Sequence, residues 1–547
     1  MSMAIVTFDT KDFKAIDSSR QRLVEIATAL GIEIEVSDES EIKMNINPNR
    51  PDLLDFVGVS RAMESFAGKK KPRDKFYKIS NKPYLDVAVD PRVTKVRPYF
   101  AGIVVKNADL SGNRLKYLIN FTEKFSDTYG RRRKKIAIGL HALNAIKGGL
   151  VYSASEEGKL VPLGKRRNMQ FRDVMEQHDK GITYQDAVPN YGSKKVLYPF
   201  LRDSEKVLAL IPITNCEQTR VTEKTKDIFI DITGTSASAI KSVASVIASS
   251  FLYAGADIYP ITVRYTSGIQ NTPRLDYREM KLSMKLADAA IGVETGRHNV
   301  ITLANKMGYT AAKYGASVLF YIPPYRVDVL NEQDIIEDVA IAYGYDRIVP
   351  APVSGTFAGL SNDAADLENK IATLSVGLGY TEAINSMLTS EGVNFKSMQQ
   401  RPMKESYVGI ADSKTSAITM LRTSVLPSLM QNLAASASAT MPQRLFEIGR
   451  TFSLKGKDVK EEVRLGLVSV HSRANFAEMK SIVSTLLQNM GQEFTIEPQS
   501  DPSFIEGRCA KVLVEKRAVA AFGEIHPQVL KNFGIEEPVV AAELLLY

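Results

Sequence analysis

The 547-residue chain lacks the features of membrane, disulfide-bonded and zinc-binding proteins. It contains no run of about 18 or more apolar residues, the length that a membrane-spanning helix requires. Its first residues, MSMAIVTFDTKDF, lack the basic and apolar regions of a signal peptide. Two cysteines, Cys216 and Cys509, are too few for a disulfide framework or a zinc site. We therefore expect a cytoplasmic protein with no membrane segment.

Local motifs of several enzyme classes are also missing from the sequence. The absence of G-x-x-x-x-G-K-[ST] argues against a P-loop nucleotide site. The absence of H-E-x-x-H and of paired C-x-x-C argues against a zinc enzyme, and no G-x-S-x-G nucleophile turn is present. The histidines lie in no nucleophile motif, and we interpret all five as structural or surface residues: His141, His178, His298, His471 and His526.

The charge balance is mildly basic, with 70 Lys and Arg against 62 Asp and Glu, a net charge of +8 and a pI near 9.0. This excess permits binding to a polyanion, because phosphate contacts supply most non-specific affinity for nucleic acids. Basic residues cluster at 68–75, 130–139 and 164–168, all in the first third of the chain. Each cluster is either a solvated loop or part of a phosphate-binding face.

Length and pattern predict a multidomain α+β protein. A chain of 547 residues is too long for one hydrophobic core. A basic, Pro-containing stretch before residue 84 and a Pro-, Gly- and Ser-rich stretch after residue 349 are predicted linkers. The domain boundaries that we predict are 1–83, which includes the basic linker, then 84–268, 269–350 and 358–547.

Residues 226–251 predict a strand, a tight turn and a helix. At the period of a strand, Asp231 and Thr233 lie on the same face and point together from its end. Ser236 or Thr235 can cap the helix, which turns inward Ile240, Val243, Ala244, Ile247 and Phe251. Two interpretations stay open: a pocket for a polar ligand or a water, and a half-exposed strand face beside a helix cap.

Four carboxylates lie close together within the segment 327–348. A helix is predicted from Asn331, its cap, and it projects Asp334, Glu337 and Asp338 from one face, with Asp328 shortly before it. Acidic residues in a first turn stabilise the helix dipole, which alone could explain the cluster. Alternatively a cation neutralises it: Arg326, Arg347 or a bound Mg²⁺, which prefers oxygen ligands.

Eight segments, in the same order along the chain, resemble beta subunits of phenylalanine–tRNA ligase. The segment that carries the carboxylates, IPPYRVDVLNEQDIIEDVAIAYGYDRI, is similar to a signature of that family, as is NINPNRPDLLDFVGVSRAM at 45–63. The other similar segments are 131–146, 198–236, 379–390, 421–430, 444–452 and 522–544. The length resembles that of the shorter archaeal and eukaryotic type.

The resemblance implies a fold and a role for each region. It implies an N-terminal domain, an α/β editing domain at 84–268, and a small helical, winged-helix-like B5 domain at 269–350. Residues 358–547 would form an antiparallel module like a class II synthetase but without catalytic motifs, docked on an alpha subunit. The alpha subunit would bind ATP and phenylalanine in an α2β2 heterotetramer with tRNA(Phe).

The resemblance also implies site residues. Asp231, Thr233 and Asn215 match positions of an editing pocket that hydrolyses tyrosine wrongly attached to the tRNA. Asp328, Asp334, Glu337 and Asp338 match positions for Mg²⁺ shared with the alpha subunit. Ala142 and Asn144 stand where the family tends to have Asp, and Cys216 where Ser is common, so editing could be weakened. Two rival interpretations are a non-catalytic RNA-binding scaffold and an independent ligase with its own ATP site.

Overall fold

The computed structural model describes residues 4–35, 40–72, 76–193, 195–353, 355, 358–402, 406–413 and 415–547. Parts of the basic cluster at 68–75 and of both predicted linkers lie outside these residues. The chain forms two compact units, 1–352 and 353–547, which divide within the second predicted linker. Among the described helices, none has the length and apolar content needed to cross a bilayer.

The first region of unit 1 is a three-stranded antiparallel sheet with two helices. Its elements are β1 (Ala4–Asp9), α1 (Arg20–Ala29), β2 (Glu33–Glu35), β3 (Glu41–Ile46) and α2 (Phe56–Phe66). As expected from the spacing of its apolar residues, α1 buries Leu23, Ile26 and Ala27. These buried residues belong to one hydrophobic core with side chains from 101–136 and 228–258, so the predicted boundary at residue 83 does not separate two cores.

The second region contains the largest sheet that the described residues form, with ten strands. Its first elements are β4 (Leu85–Val89), β5 (Tyr99–Lys106), α3 (Arg114–Asp127), β6 (Ile136–Ala142), β7 (Leu150–Ser155), β8 (Lys159–Leu160), β9 (Met169–Gln170), α4 (Phe171–Gln177) and α5 (Asp179–Tyr184). It continues with β10 (Tyr198–Arg202), β11 (Val207–Leu210), β12 (Thr214–Asn215), β13 (Ile228–Gly234), α6 (Ala237–Tyr253), β14 (Asp257–Tyr265) and β15 (Gly268–Thr272).

The order of this sheet is β12-β11-β10-β7-β4-β14-β5-β13-β6, with β15 paired to β14. Among the described strands of this sheet, only β4 makes parallel pairs, which join it to β7 and β14. The predicted boundary at residue 268 therefore needs correction, because β15 hydrogen-bonds to β14 and extends the sheet to Thr272. As predicted, Ser236 caps α6, where its side chain accepts a hydrogen bond from the backbone N–H of Ala239.

The third region of unit 1 combines three helices with a three-stranded antiparallel sheet of order β16-β18-β17. Its described elements are β16 (Arg278–Ser283), α7 (Met284–Ile291), α8 (Arg297–Lys306), β17 (Thr310–Tyr314), β18 (Ser317–Ile322) and α9 (Glu332–Tyr343). The predicted description as helical omitted this sheet. The apolar stripe of α9 packs into the core of this region, with Ile335 and Val339 fully buried.

Unit 2 is built on a seven-stranded sheet of order β19-β22-β23-β27-β26-β25-β24, antiparallel except for the β19–β22 pair. A second, two-stranded sheet pairs β20 with β21. The elements in the described part of unit 2 are α10 (Asp363–Gly377), β19 (Thr381–Glu382), β20 (Leu388–Thr389), β21 (Met420–Leu421), α11 (Leu426–Ala435), β22 (Gln443–Lys455), β23 (Asp458–Val470), α12 (Phe476–Asn489), β24 (Thr495–Pro498), β25 (Phe504–Val514), β26 (Arg517–Ile525), α13 (Pro527–Phe533) and β27 (Val539–Leu545). The mixed α/β, multidomain class is confirmed.

Candidate functional site

Asp231 lies in the middle of β13, a strand that is buried along its whole length rather than half-exposed. Its two cross-strand neighbours are glycines, Gly102 on β5 and Gly139 on β6. A Cβ atom at residue 139 would lie 2.0 Å from Oδ2 of Asp231 and 3.0 Å from Oδ1 of Asn215. The missing side chain at Gly139 is therefore what gives these two polar groups their space.

The carboxylate of Asp231 is held by a buried histidine. Nε2 of His141, on β6, lies 3.0 Å from Oδ2 of Asp231, and Nδ1 lies 2.8 Å from Oγ1 of Thr219. The sulfur of Cys216 lies 3.3 Å from the same Thr219 oxygen. One consistent assignment of protons runs through all three contacts: the thiol donates to Thr219, Thr219 donates to Nδ1, and Nε2–H donates to the carboxylate.

Asp231 and Asn215 line one cavity of about 180 Å³. The side-chain amide of Asn215 donates to the carbonyl of Leu140, which fixes its position on the cavity wall. Charged residues also line this cavity: Arg133, from the basic cluster at 130–139, and Lys180, whose Nζ lies 2.6 Å from Glu123. Asp231 and Asn215 thus lie in one cavity with polar groups of a kind that can hold a small polar ligand, and the pocket interpretation of 226–251 stays a prediction.

Thr233, the third residue predicted for this pocket, has a different environment. It is fully buried, and its Oγ1 accepts a hydrogen bond of 2.9 Å from Nε of Arg97. Arg97 also donates to the carbonyls of Thr233 and Arg133, and burial lowers its pKa to about 10. Thr233 does not contribute to the lining of the cavity that holds Asp231 and Asn215.

His141 and Thr219 were missed from the sequence. The prediction that each histidine is structural or on the surface did not anticipate that His141 contacts Asp231. The signal for His141 was the alternation of side chains along β6. Gly139 is directly opposite Asp231, and His141, two residues further along β6, lies on the same face of the sheet as residue 139. Using that signal requires knowing that β6 pairs with β13, which the sequence does not reveal.

Ala142, Asn144 and Cys216, the three residues that depart from the family pattern, differ in their position relative to the cavity that holds Asp231. Ala142 and Asn144 are outside its lining, and Asn144 is exposed. Cys216 is fully buried and its sulfur is within hydrogen-bonding distance of Thr219, the contact that a serine hydroxyl would also make. The hydrogen-bonded chain to Asp231 is therefore complete with cysteine at residue 216.

The four carboxylates of the acidic cluster line a second cavity, of about 250 Å³. Within it the buried Arg326 pairs with two of them. Its Nε and Nη2 bind Asp328, with Nη2–Oδ2 at 2.7 Å, and Nη2 also lies 2.5 Å from Oδ2 of Asp338. The hydroxyl of Tyr309 donates to the same Asp338 oxygen. Of the cations considered from the sequence, Arg326 occupies the position between Asp328 and Asp338.

Asp334 has the role of a helix cap. Together with Asn331 it forms a capping box at the start of α9, and its Oδ2 accepts hydrogen bonds from the backbone N–H groups of Leu330 and Asn331. Glu337, one turn further along, is exposed. The cap interpretation of the sequence thus accounts for Asp334, while the arginine accounts for Asp328 and Asp338.

These contacts bear on the Mg²⁺ that the resemblance implies. Among the described residues, no group of three or more His, Cys, Asp or Glu side chains is arranged to hold a metal ion. A metal at the cluster would compete with Arg326 for Asp328 and Asp338, and removing a guanidinium from its buried carboxylates is costly. The residues as arranged in this chain alone do not fit a magnesium cage, and the metal assignment stays a prediction.

The acidic cluster continues into the segment 45–63, the other family signature. Nε of Arg50 lies 2.9 Å from Asp52 and 4.0 Å from Asp328, while Nη2 of Arg61 lies 3.4 Å from Asp52. Three arginines and three aspartates therefore alternate in one row that is buried at four residues and partly buried at Arg50 and Asp328: Arg61, Asp52, Arg50, Asp328, Arg326 and Asp338. Their formal charges balance, which is what allows so many ionised groups to be buried together.

Comparison with known proteins identifies the two C-terminal regions by family. Residues 280–345 match the family described as the tRNA synthetase B5 domain. Residues 350–546 match the family described as the phenylalanyl tRNA synthetase beta chain CLM domain. The acidic cluster lies within the first match, and the seven-stranded sheet of unit 2 within the second.

Similarity to individual proteins extends over nearly the whole chain. A phenylalanine–tRNA ligase beta subunit of Archaeoglobus fulgidus is 33% identical over 536 residues, which cover 97% of this chain and 96% of that protein. One from Pyrococcus furiosus is 35% identical over 91% of this chain and 89% of that protein. The crystal structure of an N-terminal fragment of the phenylalanyl-tRNA synthetase beta subunit from Pyrococcus horikoshii is 29% identical. Its TM-score is 0.59, with 62% of this chain and 100% of the fragment covered.

The fold, the two domain matches and the full-length relatives define a subunit of an aminoacyl-tRNA synthetase, an enzyme of protein biosynthesis. The chain belongs to the phenylalanine–tRNA ligase beta subunit family. Its function is accordingly that of a beta subunit in this ligase complex.

Proposed function

We propose that this chain is the assembly and proofreading half of a cytoplasmic phenylalanine–tRNA ligase. It pairs with an alpha subunit in an α2β2 complex, and the alpha subunit binds ATP and phenylalanine. It contributes to tRNA(Phe) binding and hydrolyses tyrosine that has been attached to this tRNA by error. Proofreading is needed because a hydrophobic pocket for phenylalanine rejects an added hydroxyl by only about a hundredfold.

The observation that carries the proofreading proposal is the cavity that Asp231 and Asn215 share. Its volume of about 180 Å³ suits one amino-acid side chain rather than a macromolecule. Asp231 and Asn215 supply acceptors for a hydroxyl or a water, and Arg133, Arg220 and Lys180 line the same cavity, where Lys180 is paired with Glu123. Ester hydrolysis requires a positioned water and stabilisation of the oxyanion, and both kinds of group are present.

In this proposal His141 is a positioning residue. In the proton assignment given above, its Nε2–H donates to Asp231 and its Nδ1 accepts from Thr219, so the imidazole is held in one orientation by two contacts. The carboxylate thereby stays oriented beside Gly139, where it can accept the proton of the attacking water or a hydrogen bond from the tyrosyl hydroxyl. The water oxygen then bonds to the ester carbonyl carbon, the bond between that carbon and the tRNA ribose oxygen breaks, and the ribose oxygen takes the proton that Asp231 had accepted from the water.

The test is deacylation of Tyr-tRNA(Phe) by the α–β complex and by an Asp231→Ala variant. Loss of a positioned acid–base group lowers such rates by about 100-fold or more. Asp86→Ala is the matched control, because Asp86 is an exposed aspartate of the same region that pairs with Arg264. Equal rates for wild type and Asp231→Ala would eliminate proofreading and leave the non-catalytic RNA-binding scaffold as the function of this chain.

Docking on an alpha subunit is supported by exposed apolar side chains around β20 and β21 of unit 2. Ile384 is 91% exposed, and Met387, Leu388 and Ile418 are each more than 40% exposed. The backbone N–H of Thr419 donates to the carbonyl of Thr389, so the segment that carries Ile418 pairs with the end of the segment that carries Leu388. Contiguous exposed apolar side chains are typical of an interface.

The docking proposal is tested by co-purification with an alpha subunit and the mass of the complex in solution. We expect the double variant Ile384→Asp/Leu388→Asp to yield separate chains, because it introduces charge where an apolar surface must be buried. Val459→Asp, at another exposed apolar side chain of unit 2, should leave the complex intact. A solitary wild-type chain with no affinity for the alpha subunit would contradict the proposal.

A further inference from the structure

Another cavity in unit 1, which we call the tyrosine cavity, has a composition that the ligase function does not explain. Its volume is about 320 Å³, at the lower end of small-ligand sites. Aromatic rings line it: Phe76, Tyr77, Tyr253, Tyr277 and Tyr325. Tyr77 and Tyr325 are buried at its base, while Phe76, Tyr253 and Tyr277 are half-buried and expose part of their rings.

Cationic side chains stand beside these rings. The guanidinium carbon of Arg61 lies 3.4 Å from the ring centre of Tyr325, and Nζ of Lys70 lies 4.1 Å from that of Tyr253. Lys71 is exposed and also lines the cavity. Lys70 and Lys71 belong to the basic cluster at 68–75, which neither the Asp231 cavity nor the acidic cluster uses.

Acidic groups near the tyrosine cavity offset part of this charge. The hydroxyl of Tyr253 donates to Glu64 at 2.5 Å, and Nζ of Lys70 lies 3.6 Å from the same carboxylate. Arg61, which lies over the ring of Tyr325, is paired with Asp52. Lys70 and Lys71 are thus both exposed cations of this cavity, and Lys70 is shared between Glu64 and the cavity.

We propose that the tyrosine cavity binds one unstacked nucleotide of single-stranded RNA. Its base stacks on the half-buried ring of Tyr277, because Lys70 already covers the ring of Tyr253, and its phosphates lie against Lys70 and Lys71. Aromatic platforms accept any base, because every base has a π-face, and neighbouring lysines supply the backbone contacts. The site is separate from the Asp231 cavity, and the proposal does not depend on proofreading.

The test is fluorescence anisotropy of a labelled 12-nucleotide oligouridylate with the full chain in complex with its alpha subunit. Loss of one stacking residue in Tyr277→Ala should weaken binding by about 5- to 100-fold, whereas Tyr277→Phe, which keeps the ring, should stay within about twofold. The pair Lys70→Ala/Lys71→Ala should reduce the slope of log affinity against log salt by about 1.4, that is, about 0.7 for each phosphate contact.

The control pair is Lys165→Ala/Arg166→Ala, two exposed cations of the cluster at 164–168. Equal losses for both charge pairs, with no effect of Tyr277→Ala, would overturn the proposal in favour of diffuse electrostatic binding. Displacement of the oligomer by free AMP at equal concentration would overturn it in favour of a mononucleotide site. If Tyr277→Ala lowers the melting temperature, its effect on binding no longer tests the site. The variant Lys70→Ala/Lys71→Ala, whose side chains lie outside the hydrophobic core, then tests the proposal alone.

Proofreading and this proposal fail independently. Asp231→Ala should abolish deacylation and bind the oligomer like wild type. The lysine pair should weaken oligomer binding and leave the deacylation rate at saturating Tyr-tRNA(Phe) unchanged.

Discussion

The Asp231 cavity and the acidic cluster both contain buried aspartates, yet their partners give these aspartates opposite properties. Asp231 is held by an imidazole, a partner that can be neutral, in a cavity where a substrate could reach it. Asp328 and Asp338 share Arg326, whose charge is permanent. A carboxylate beside a histidine stays available for chemistry, whereas one that is clamped by a buried guanidinium has become part of the framework.

The largest expected effect comes from removing that guanidinium. Arg326→Met leaves Asp328 and Asp338 buried without their counter-charge, and we expect a loss of about 3–5 kcal/mol in the free energy of unfolding. Urea unfolding at pH 7 measures it. Arg347→Met is the control, because Arg347 is an exposed arginine near the same cluster and should change little. Adding Asp328→Asn and Asp338→Asn to Arg326→Met should restore part of the loss; no restoration would contradict the ion-pair explanation.

A smaller effect is expected when the Asp231 cavity loses its space. In Gly139→Ala the new methyl group would meet Oδ2 of Asp231 at 2.0 Å, so the carboxylate must move. We expect a loss of about 1–3 kcal/mol in stability, together with a slower deacylation of Tyr-tRNA(Phe). Gly149→Ala is matched to it, because a Cβ at residue 149 meets nothing within 4 Å. If both variants behave alike, the glycine does not shape the site.

The helix cap of the acidic cluster predicts a weaker effect still. Asn331→Ala removes the side chain that accepts from the backbone N–H of Gln333 and should cost about 1 kcal/mol. The neighbouring exposed residue provides the control, Gln333→Ala, measured by thermal unfolding of the same preparation. A cost below that of the control would mean that α9 begins independently of its capping box.

The smallest expected effect tests whether Arg326 or a bound metal ion is the main counter-charge of the acidic cluster. Since Arg326 already pairs with two of the four carboxylates, we expect EDTA to shift the melting temperature of the isolated chain by less than about 1 °C. The same measurement with 5 mM Mg²⁺ added back, roughly a saturating concentration for weak protein sites, is the control. A large fall with EDTA that Mg²⁺ reverses would instead support the metal prediction for Asp334, Glu337 and their neighbours.

Local features of the structure could be predicted from the sequence, and contacts between distant segments could not. Asn331 and Ser236 cap the helices that their patterns indicated, because a cap is a contact within three residues. The pairing of His141 with Asp231 joins residues that are 90 positions apart. It depends on the register of β6 against β13, a property of the folded sheet rather than of either strand.

The acidic cluster illustrates the same limit in another form. The sequence offered Arg326, Arg347 and Mg²⁺ as counter-charges, and only the folded chain distinguishes the buried arginine from the exposed one. Arg50 and Asp52, from the segment 45–63, were not expected there at all. The resemblance to the family named both segments as signatures without indicating that they touch.

The row of alternating charges from Arg61 to Asp338 has a consequence for how this chain can vary. The charged residues come from two segments that are remote in sequence, 45–63 and 327–348 with the adjoining Arg326, and they neutralise one another. A substitution in either segment therefore leaves a charged residue of the other segment without its counter-charge. Homologous replacement of one stretch alone, by exchange between relatives or by design, should fail unless the opposite stretch is transplanted with it. In sequence alignments the two are expected to change as a pair or not at all.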